Sequence, residues 1–307
     1  MGIQLGIIGY GGMGGFHHRN ASRIEGVQVI GAYDTDPVRV HAAEKNGIKG
    51  FSTLEELLSC DEINTVLVAV PNDKHMELCV EAANAGKHVI CEKPVAMNVR
   101  ELDQMIAAAG RNGKIFTVHQ NRRWDKDFRI VKKILDSGEL GKVYSIQSRL
   151  HGSGGVMFGW RGEKKHGGGM LYDWGVHFID QLMWMLGYNN FKSVFCKTYH
   201  VKTTEVEDYF FLVFDLEDGR HVQVEIGTFV LKELPRWVLL GDEATAYVND
   251  FSRNGGIIRL DSTADTTTGI TAMDIMDSIS FFLRDIFFPL SISNIFCVPE
   301  ELPIFPL

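Results

Sequence analysis

The sequence predicts an α/β protein in two parts. The first is a doubly wound parallel sheet. The second is an α+β part built on a large, mostly antiparallel open sheet. Three observations carry this. Short apolar strands alternate with helices through the first 120 residues, as in parallel sheets covered on both faces. A glycine-rich turn, Gly9-Tyr10-Gly11-Gly12-Met13-Gly14, follows the first strand. From Phe191 onward, strands succeed one another without helices between them.

The elements read as follows. Ile3–Ile8 is an apolar strand ending in the glycine turn, and Phe16–Ile24 reads as a helix. Val27–Tyr33 is a second strand, closed by Asp34. Asp36-Pro37 opens a helix through Lys45, with proline suited to its first turn. Thr53 and Glu56 form a capping box. Thr65–Val70 is an uncharged, β-branched strand. A helix over His75–Ala85 stops at Gly86, and strand His88–Cys91, helix Val99–Ala109 and strand Ile115–Val118 complete the alternation. This is expected to form one domain over residues 1–120.

The second domain is expected over 121–307. A helix spans Phe128–Asp136 and a strand Val143–Leu150. A glycine-rich loop from His151 to Gly169 leads into a helix over Leu171–Leu186. Strands then cover Phe191–His200, Val206–Leu216, Arg220–Val230, Trp237–Leu240 and Ala246–Asn249, with a hairpin turn at Glu217-Asp218-Gly219-Arg220. One face of this sheet packs on the helix 171–186. The other face needs a cover, such as a second subunit. The tail 279–307 is atypical. It holds six phenylalanines and four of the eight prolines, and Ile286–Pro299 carries no charge. It is too short and proline-broken to span a membrane, which takes about 20 apolar residues.

Composition narrows the classes. A hydrophobic content of 45% and charged content of 23% are those of a soluble globular protein. Net charge is −8 with no basic run, which argues against nucleic acid as a partner. The N-terminus passes directly into a strand, so no signal peptide and no myristoylated Gly2 is read, and a cytoplasmic location is expected. The five cysteines are scattered without a CxxC pair and read as reduced thiols. Cys91, although beside Glu92, reads as a buried strand residue.

Gly9, Gly11 and Gly14 fit G-x-G-x-x-G between a strand and a helix. Such glycines let backbone approach a pyrophosphate at the helix N-terminus. Asp34 lies about twenty residues further on, where an acid accepts from a ribose 2′-hydroxyl. An acid there repels a 2′-phosphate, so NAD is preferred to NADP; the alternative is that Asp34 only caps the next helix. Glu92-Lys93-Pro94 closes the strand His88–Cys91. A lysine at the carboxyl end of a parallel strand points into the ligand crevice. Glu92 can hold it, and a cis bond to Pro94 would fix its direction. Val70-Pro71-Asn72 and His75 lie one strand away along the same edge; alone, Asn72 reads as a helix cap, but with Lys93 on that edge the segment is expected to border the nicotinamide and bind the cofactor. Asp173 and His177 are spaced to share a helix face, either as an oriented general base or as a structural pair. His166 does not complete a metal set with them, and no metal is expected.

Together these segments resemble the Gfo/Idh/MocA oxidoreductases, which include glucose–fructose oxidoreductase and inositol 2-dehydrogenase. The segments are Gly9–Gly14, Val70-Pro71-Asn72-Asp73-Lys74-His75, Ala85-Gly86-Lys87-His88-Val89-Ile90-Cys91-Glu92-Lys93-Pro94, Asn121-Arg122-Arg123 and Gly167-Gly168-Gly169-Met170-Leu171-Tyr172-Asp173-Trp174-Gly175-Val176-His177. Glu205–Phe210 and Pro235-Arg236-Trp237 also match the family's sheet domain. The resemblance implies a Rossmann domain, a substrate domain and assembly into a homodimer or homotetramer through the open sheet. It implies NAD(P)-linked hydride transfer at a carbinol or carbonyl carbon of a sugar, cyclitol or related polyol.

By the same resemblance Lys93 contacts substrate and cofactor. Asp173 and His177 bind substrate, with His177 as acid/base, and Trp160-Arg161 lies near the nicotinamide. Arg122 and Trp124 are further substrate contacts. The resemblance fails at the tail, which reads either as a replaced or frame-shifted end or as a divergent arm over an apolar surface. Two rival functions use the same scaffold: a non-catalytic NAD-binding sensor and an NAD-dependent glycosidase.

Overall fold

Two sheets organise the chain in the computed structural model, which describes residues 2–155, 159–252, 254–260 and 270–274. The atypical tail 279–307 lies outside the described residues. The described part divides at His119/Gln120 into two compact units.

The first unit holds a six-stranded sheet in the order β3-β2-β1-β4-β5-β6. The strands are β1 Ile3–Ile8, β2 Val27–Tyr33, β3 Lys49–Phe51, β4 Thr65–Val68, β5 His88–Cys91 and β6 Phe116–Val118. All pair in parallel. Helices α1 (Gly12–Ala21), α2 (Pro37–Lys45), α3 (Leu54–Leu58), α4 (His75–Asn84) and α5 (Val99–Arg111) connect them. Ile7, Val66 and Val68 are fully buried, which is why these strands show no polar alternation. The order reverses direction between β1 and β4, and the carboxyl ends of these strands form the switch point where such sheets bind ligands.

Local sequence accounts for the helix starts. Asp36 accepts from Val38 N–H, Thr53 from Glu56 N–H and Asn98 from Glu101 N–H, so three helices open on side-chain caps. Helix α1 has no side-chain cap and opens directly on Gly11. It begins at Gly12, four residues before the start its sequence suggests. The glycines there have poor helix propensity; the turn places them in the helix regardless.

The second unit holds an eight-stranded sheet among the described residues, ordered β14-β13-β12-β11-β7-β10-β9-β8. Its strands are β7 Val143–His151, β8 Phe191–Tyr199, β9 Tyr209–Leu216, β10 His221–Gly227, β11 Trp237–Gly241, β12 Ala244–Val248, β13 Gly255–Leu260 and β14 Ile270–Asp274. Only β7–β10 is a parallel pair. Helices α6 (Lys126–Ser137) and α7 (Val176–Leu186) belong to this unit. Phe128, Val131, Phe178 and Leu182 of these helices share a core with Ile146, Phe210, Val224 and Trp237 of the sheet. Among the described residues no helix is long and apolar enough to cross a membrane.

The helix predicted over Leu171–Leu186 is not uniform. Leu171–Gly175 forms a π-helical turn, and α-helix follows only from Val176. A Cβ on Gly175 would stand 2.9 Å from Leu171 Cδ1 and 3.1 Å from Phe210 Cζ. The glycine lets the widened turn lie against the sheet. Turns of this kind concentrate at functional sites.

Candidate active site

In the first unit the glycine turn is shaped by contacts that exclude side chains. Gly9 has φ +89°, and a Cβ there would fall 2.4 Å from Ala69 O. A Cβ on Gly14 would fall 2.0 Å from Gly9 O. Gly12, by contrast, faces open space with nothing within 4 Å. The start of α1 is thus an open cradle edged by backbone N–H groups that lack intrahelical partners. These residues fit a dinucleotide pyrophosphate, which needs close backbone approach and the positive end of a helix. Met13 lies in the first turn of α1. Tyr10 donates its backbone N–H to Asp34 Oδ2. Its ring is buried, with the hydroxyl 2.6 Å from His18 Nδ1 and accepting from Asn46 Nδ2.

Asp34 sits at the end of β2, with its Oδ2 accepting from Tyr10 N–H (2.8 Å) and its Oδ1 from Asp36 N–H (2.9 Å). Arg39 Nη1 stands 3.4 Å from Oδ2. The acid is therefore held beside the glycine turn, at the position suited to a ribose hydroxyl.

Val70, Pro71 and Asn72 lead out of β4, and Asn72 opens a short 3₁₀ turn. His75 is fully buried. Its Nδ1 lies 2.8 Å from Pro94 O and its Nε2 3.1 Å from Val70 O. Burial holds its pKa below the ordinary imidazole value, although both carbonyls pull it upward. His75 ties the exit of β4 to the turn after β5. Both ring nitrogens of His75, expected to meet the cofactor, face these backbone carbonyls.

Lys93 follows Glu92 at the end of β5, is partly exposed, and precedes a cis peptide bond to Pro94. Glu92 is buried and turned inward. Its Oε2 accepts from Lys93 N–H at 3.0 Å. Its Oε1 faces His17 Nε2 at 2.6 Å and His119 Nδ1 at 3.1 Å. Burial alone would raise the Glu92 carboxyl, but the bonds from His119 and His17 more than offset it and hold the pKa far below the usual carboxylate range. Among the described residues, these three are the set whose ligand atoms could close on a metal ion, all lying within 4.8 Å. Tetrahedral ligation at about 2.0 Å would hold ligand atoms about 3.3 Å apart. The 2.6 Å contact is a hydrogen bond, and the cluster is accounted for as an imidazole–carboxylate–imidazole chain. Cys91 beside it is buried, which pushes its thiol pKa up and makes it unreactive.

The second unit carries Asp173, His177, Trp160, Arg161, Arg122 and Trp124. Asp173 lies in the π-helical turn, its N–H donating to Gly169 O at 3.0 Å. Its Oδ1 is 3.5 Å from Arg161 Nε. The Arg161 guanidinium covers the Trp160 ring at 4.5 Å. His177 is buried in the first turn of α7, its ring edge-on to Trp174 at 5.9 Å. Arg122 stacks over Trp174, 4.1 Å from the ring centroid, and donates to Asp125 at 2.8 Å. The unit thus gathers Arg122, Trp174 and His177, while Trp124 is exposed.

The glycine loop before Asp173 is held from the sheet side. Glu207 Oε1 accepts from Leu171 N–H, and a Cβ on Gly169 would fall 2.4 Å from that oxygen. Asp208 accepts from the N–H groups of Val201, Lys202 and Thr203. Beneath α7, Arg236 is buried, 3.3 Å from Asp127 and 3.9 Å from the Phe178 ring. Gln181 accepts from Arg236 Nη2 and donates to Arg122 O. Sequence reasoning did not single out His17, His119, Arg39, Asp127 or Gln181. The partners of His17, His119, Asp127 and Gln181 lie far away in the chain; those of Arg39 (Asp34 and Asp36) are near, but a half-exposed arginine in a first helical turn carries no sequence signal of its own.

Comparison with known proteins agrees with this fold. The model of an oxidoreductase family with an NAD-binding Rossmann fold matches residues 3–120, and its C-terminal domain model matches 128–247. An uncharacterized oxidoreductase of Schizosaccharomyces pombe is 36% identical over 53% of this chain and 45% of its own length. A scyllo-inositol 2-dehydrogenase (NADP(+)) of Bacillus subtilis is 30% identical over 79% of this chain and 68% of its own. The crystal structure of an NAD-binding protein from Listeria innocua superposes with a TM-score of 0.83 at 39% identity, over 88% of this chain and 80% of that one. The chain spans about half the length of its first curated relatives. With models for both domains matched in order, the chain belongs to the Gfo/Idh/MocA family of oxidoreductases.

Proposed function

We propose that the protein is an NAD(P)-linked dehydrogenase or reductase acting on a CH–OH or carbonyl carbon of a sugar, cyclitol or related polyol. The observation that carries this is the retention of Lys93, Asp173 and His177 in a chain that also keeps the open glycine cradle of Gly12. A sensor that only binds nucleotide has no need of the three together.

When bound, the nicotinamide donates or accepts the hydride. The cradle at Gly9–Gly14 seats the pyrophosphate, and Asp34 accepts from a ribose hydroxyl. His177 takes or returns the substrate hydroxyl proton, a task suited to an imidazole near neutral pH. Lys93 presents positive charge to the oxygen on which negative charge develops. Asp173 and Arg122 hold substrate hydroxyls, and Glu92 and His75 fix the two turns that carry Lys93 and Val70. Assembly through the open sheet belongs to this reading, supported by Val194, Phe195 and Tyr199, which leave β8 with exposed apolar surface.

The test mixes purified protein and NAD or NADP with a panel of inositols, sugars and polyols and follows reduced-nicotinamide absorbance. Turnover with one class is expected, falling at least about 100-fold in His177→Ala. Nucleotide binding with no turnover across the panel would overturn the proposal.

A further inference from the structure

We propose that Phe251, in the turn between β12 and β13, is a positioning residue that sets the direction in which Arg122 presents its guanidinium to substrate. The inference rests on the reading above that Arg122 holds a substrate hydroxyl, and it adds a residue from outside every motif named so far.

Strands β12 and β13 pair antiparallel as far as Val248 and Gly255, and residues 249–254 turn the chain between them. The turn is held from within. Asn249 N–H donates to Asn254 O at 2.7 Å, and Ser252 N–H to Asp250 Oδ1 at 2.7 Å. It is also tied to the start of β11, since Arg236 N–H donates to Asn249 O. A turn so fixed carries its side chain to a definite place. Phe251 is partly buried. Its ring centroid lies 6.0 Å from that of Trp174, 5.2 Å from the Arg122 guanidinium carbon and 4.8 Å from that of Arg236.

Arg122 needs such a support. Its Nη1 donates to Asp125, but its Nε is buried with no hydrogen-bond partner among the described residues. A single bond to one carboxylate does not fix the plane of a guanidinium. The aromatic surface around it does: the Trp174 ring at 4.1 Å and the Phe251 ring. Arginine stacks on aromatic faces, and the attraction is strongest where water is excluded. The Phe251 ring also meets Arg236, which is buried and stands 3.3 Å from Asp127. One ring thus gives two like-charged groups a shared attractive surface, and refers the partly exposed Arg122 to the fixed Arg236. A group that holds substrate is effective when its direction is set before the substrate arrives. Filling the space at 251 is not enough for that task, because an apolar side chain without a π face offers a cation nothing.

The experiment uses the substrate that the panel identifies and measures kcat and KM at saturating nucleotide. The proteins are the wild type, Phe251→Leu, Phe251→Tyr, Arg122→Met and the double variant Phe251→Leu/Arg122→Met. Phe251→Leu is expected to raise the substrate KM about tenfold with kcat within about twofold of wild type, the pattern of binding lost equally from ground and transition state. Phe251→Met, equally without a π ring, is expected to match it and serves if Phe251→Leu melts early. Phe251→Tyr keeps the ring and is expected to stay within about threefold of the wild-type KM. In the Arg122→Met background, Phe251→Leu is expected to add less than about twofold, because its effect runs through Arg122. A KM unchanged in Phe251→Leu, raised equally by Phe251→Leu and Phe251→Tyr, or raised additively with Arg122→Met overturns the proposal and leaves Phe251 a packing residue. So does a Phe251→Leu variant that loses NADH affinity and kcat together, which marks general damage. If the wild type turns over no substrate of the panel, the functional reading fails first and this inference falls with it.

Discussion

His17 Nε2 lies 2.6 Å from Glu92 Oε1, joining the first helix to the end of β5 across 75 positions of sequence. His119 reaches the same oxygen from the end of β6. One buried carboxylate therefore fixes three elements around the residue that precedes Lys93. Glu92→Gln keeps the shape and removes the charge. It is expected to cost about 2 kcal/mol or more at pH 7, since hydrogen bonds to a buried charge are the strong ones. The sign with pH follows from the depressed carboxyl. The contribution is fully present above the unfolded-state carboxylate range and is lost as pH falls below it. Urea denaturation of both proteins from pH 7 down to pH 3.5 is expected to show the difference shrinking with acid. A gap constant across that range would contradict the assignment.

Gly12 separates cofactor binding from folding. A Cβ there meets nothing within 4 Å, so Gly12→Ala is expected to leave the melting temperature unchanged or raise it, because alanine outranks glycine in a helix by about 1 kcal/mol. If the pyrophosphate sits on this turn, the same methyl obstructs it. NADH affinity is expected to fall at least about tenfold, roughly 1.4 kcal/mol. Gly9→Ala is the contrasting variant. Its backbone at φ +89° and the Ala69 carbonyl 2.4 Å away predict a loss of about 1–3 kcal/mol in stability as well.

Lys93→Met retains the bulk of the side chain and removes its charge. It is expected to lower turnover at least about 100-fold, the scale for losing one electrostatic donor to a developing oxyanion. The effect should appear in kcat, because the charge acts most strongly in the transition state. Steady-state kinetics on whichever substrate the panel identifies would check this. An effect confined to KM would make Lys93 a ground-state binding residue only.

Arg236 and Asp127 form a charge pair with 3% and 0% exposed side chains. Trp237 Nε1 and Ser148 Oγ complete the bonding. Burial draws the guanidinium down to about 9, which leaves it cationic at neutral pH. Arg236→Met strands the Asp127 charge and is expected to cost about 3–5 kcal/mol. Adding Asp127→Asn should recover part of it. Thermal melts of the single and double variants would measure both, and additive losses would show that the two do not act as a pair.

Much of the first unit was legible because its strands are uninterrupted apolar runs, and Asp36 and Thr53 are local helix starts; the Asn98 cap of α5 was not singled out. Strand β3 was missed: three residues, Lys49–Phe51, are too few to show a period. In the second unit β13 opens on Gly255-Gly256, residues that weaken any strand signal. The π-helical turn was invisible as well, since Leu171 to Leu186 reads as a single helix in its apolar spacing. The motif residues stood out because their neighbours in sequence form the pattern. Those that support them did not, because Glu92 finds His17 and His119, and Arg236 finds Asp127, only after the chain folds.

The π-helical turn at Leu171–Gly175 also sets a phase. Beyond it, α7 is locked to the sheet by Phe178, Leu182 and Met185; at its start, Met170 and Leu171 are tied to Glu207 through their N–H groups. Between two fixed ends, the number of residues in the turn decides which way each side chain of the segment faces. Deleting one would swing that stretch by about 100° while leaving both anchors in place. Relatives that gain or lose a residue here would present a different set of groups to substrate from the same scaffold. Selectivity can then shift by a change of count instead of a change of residue.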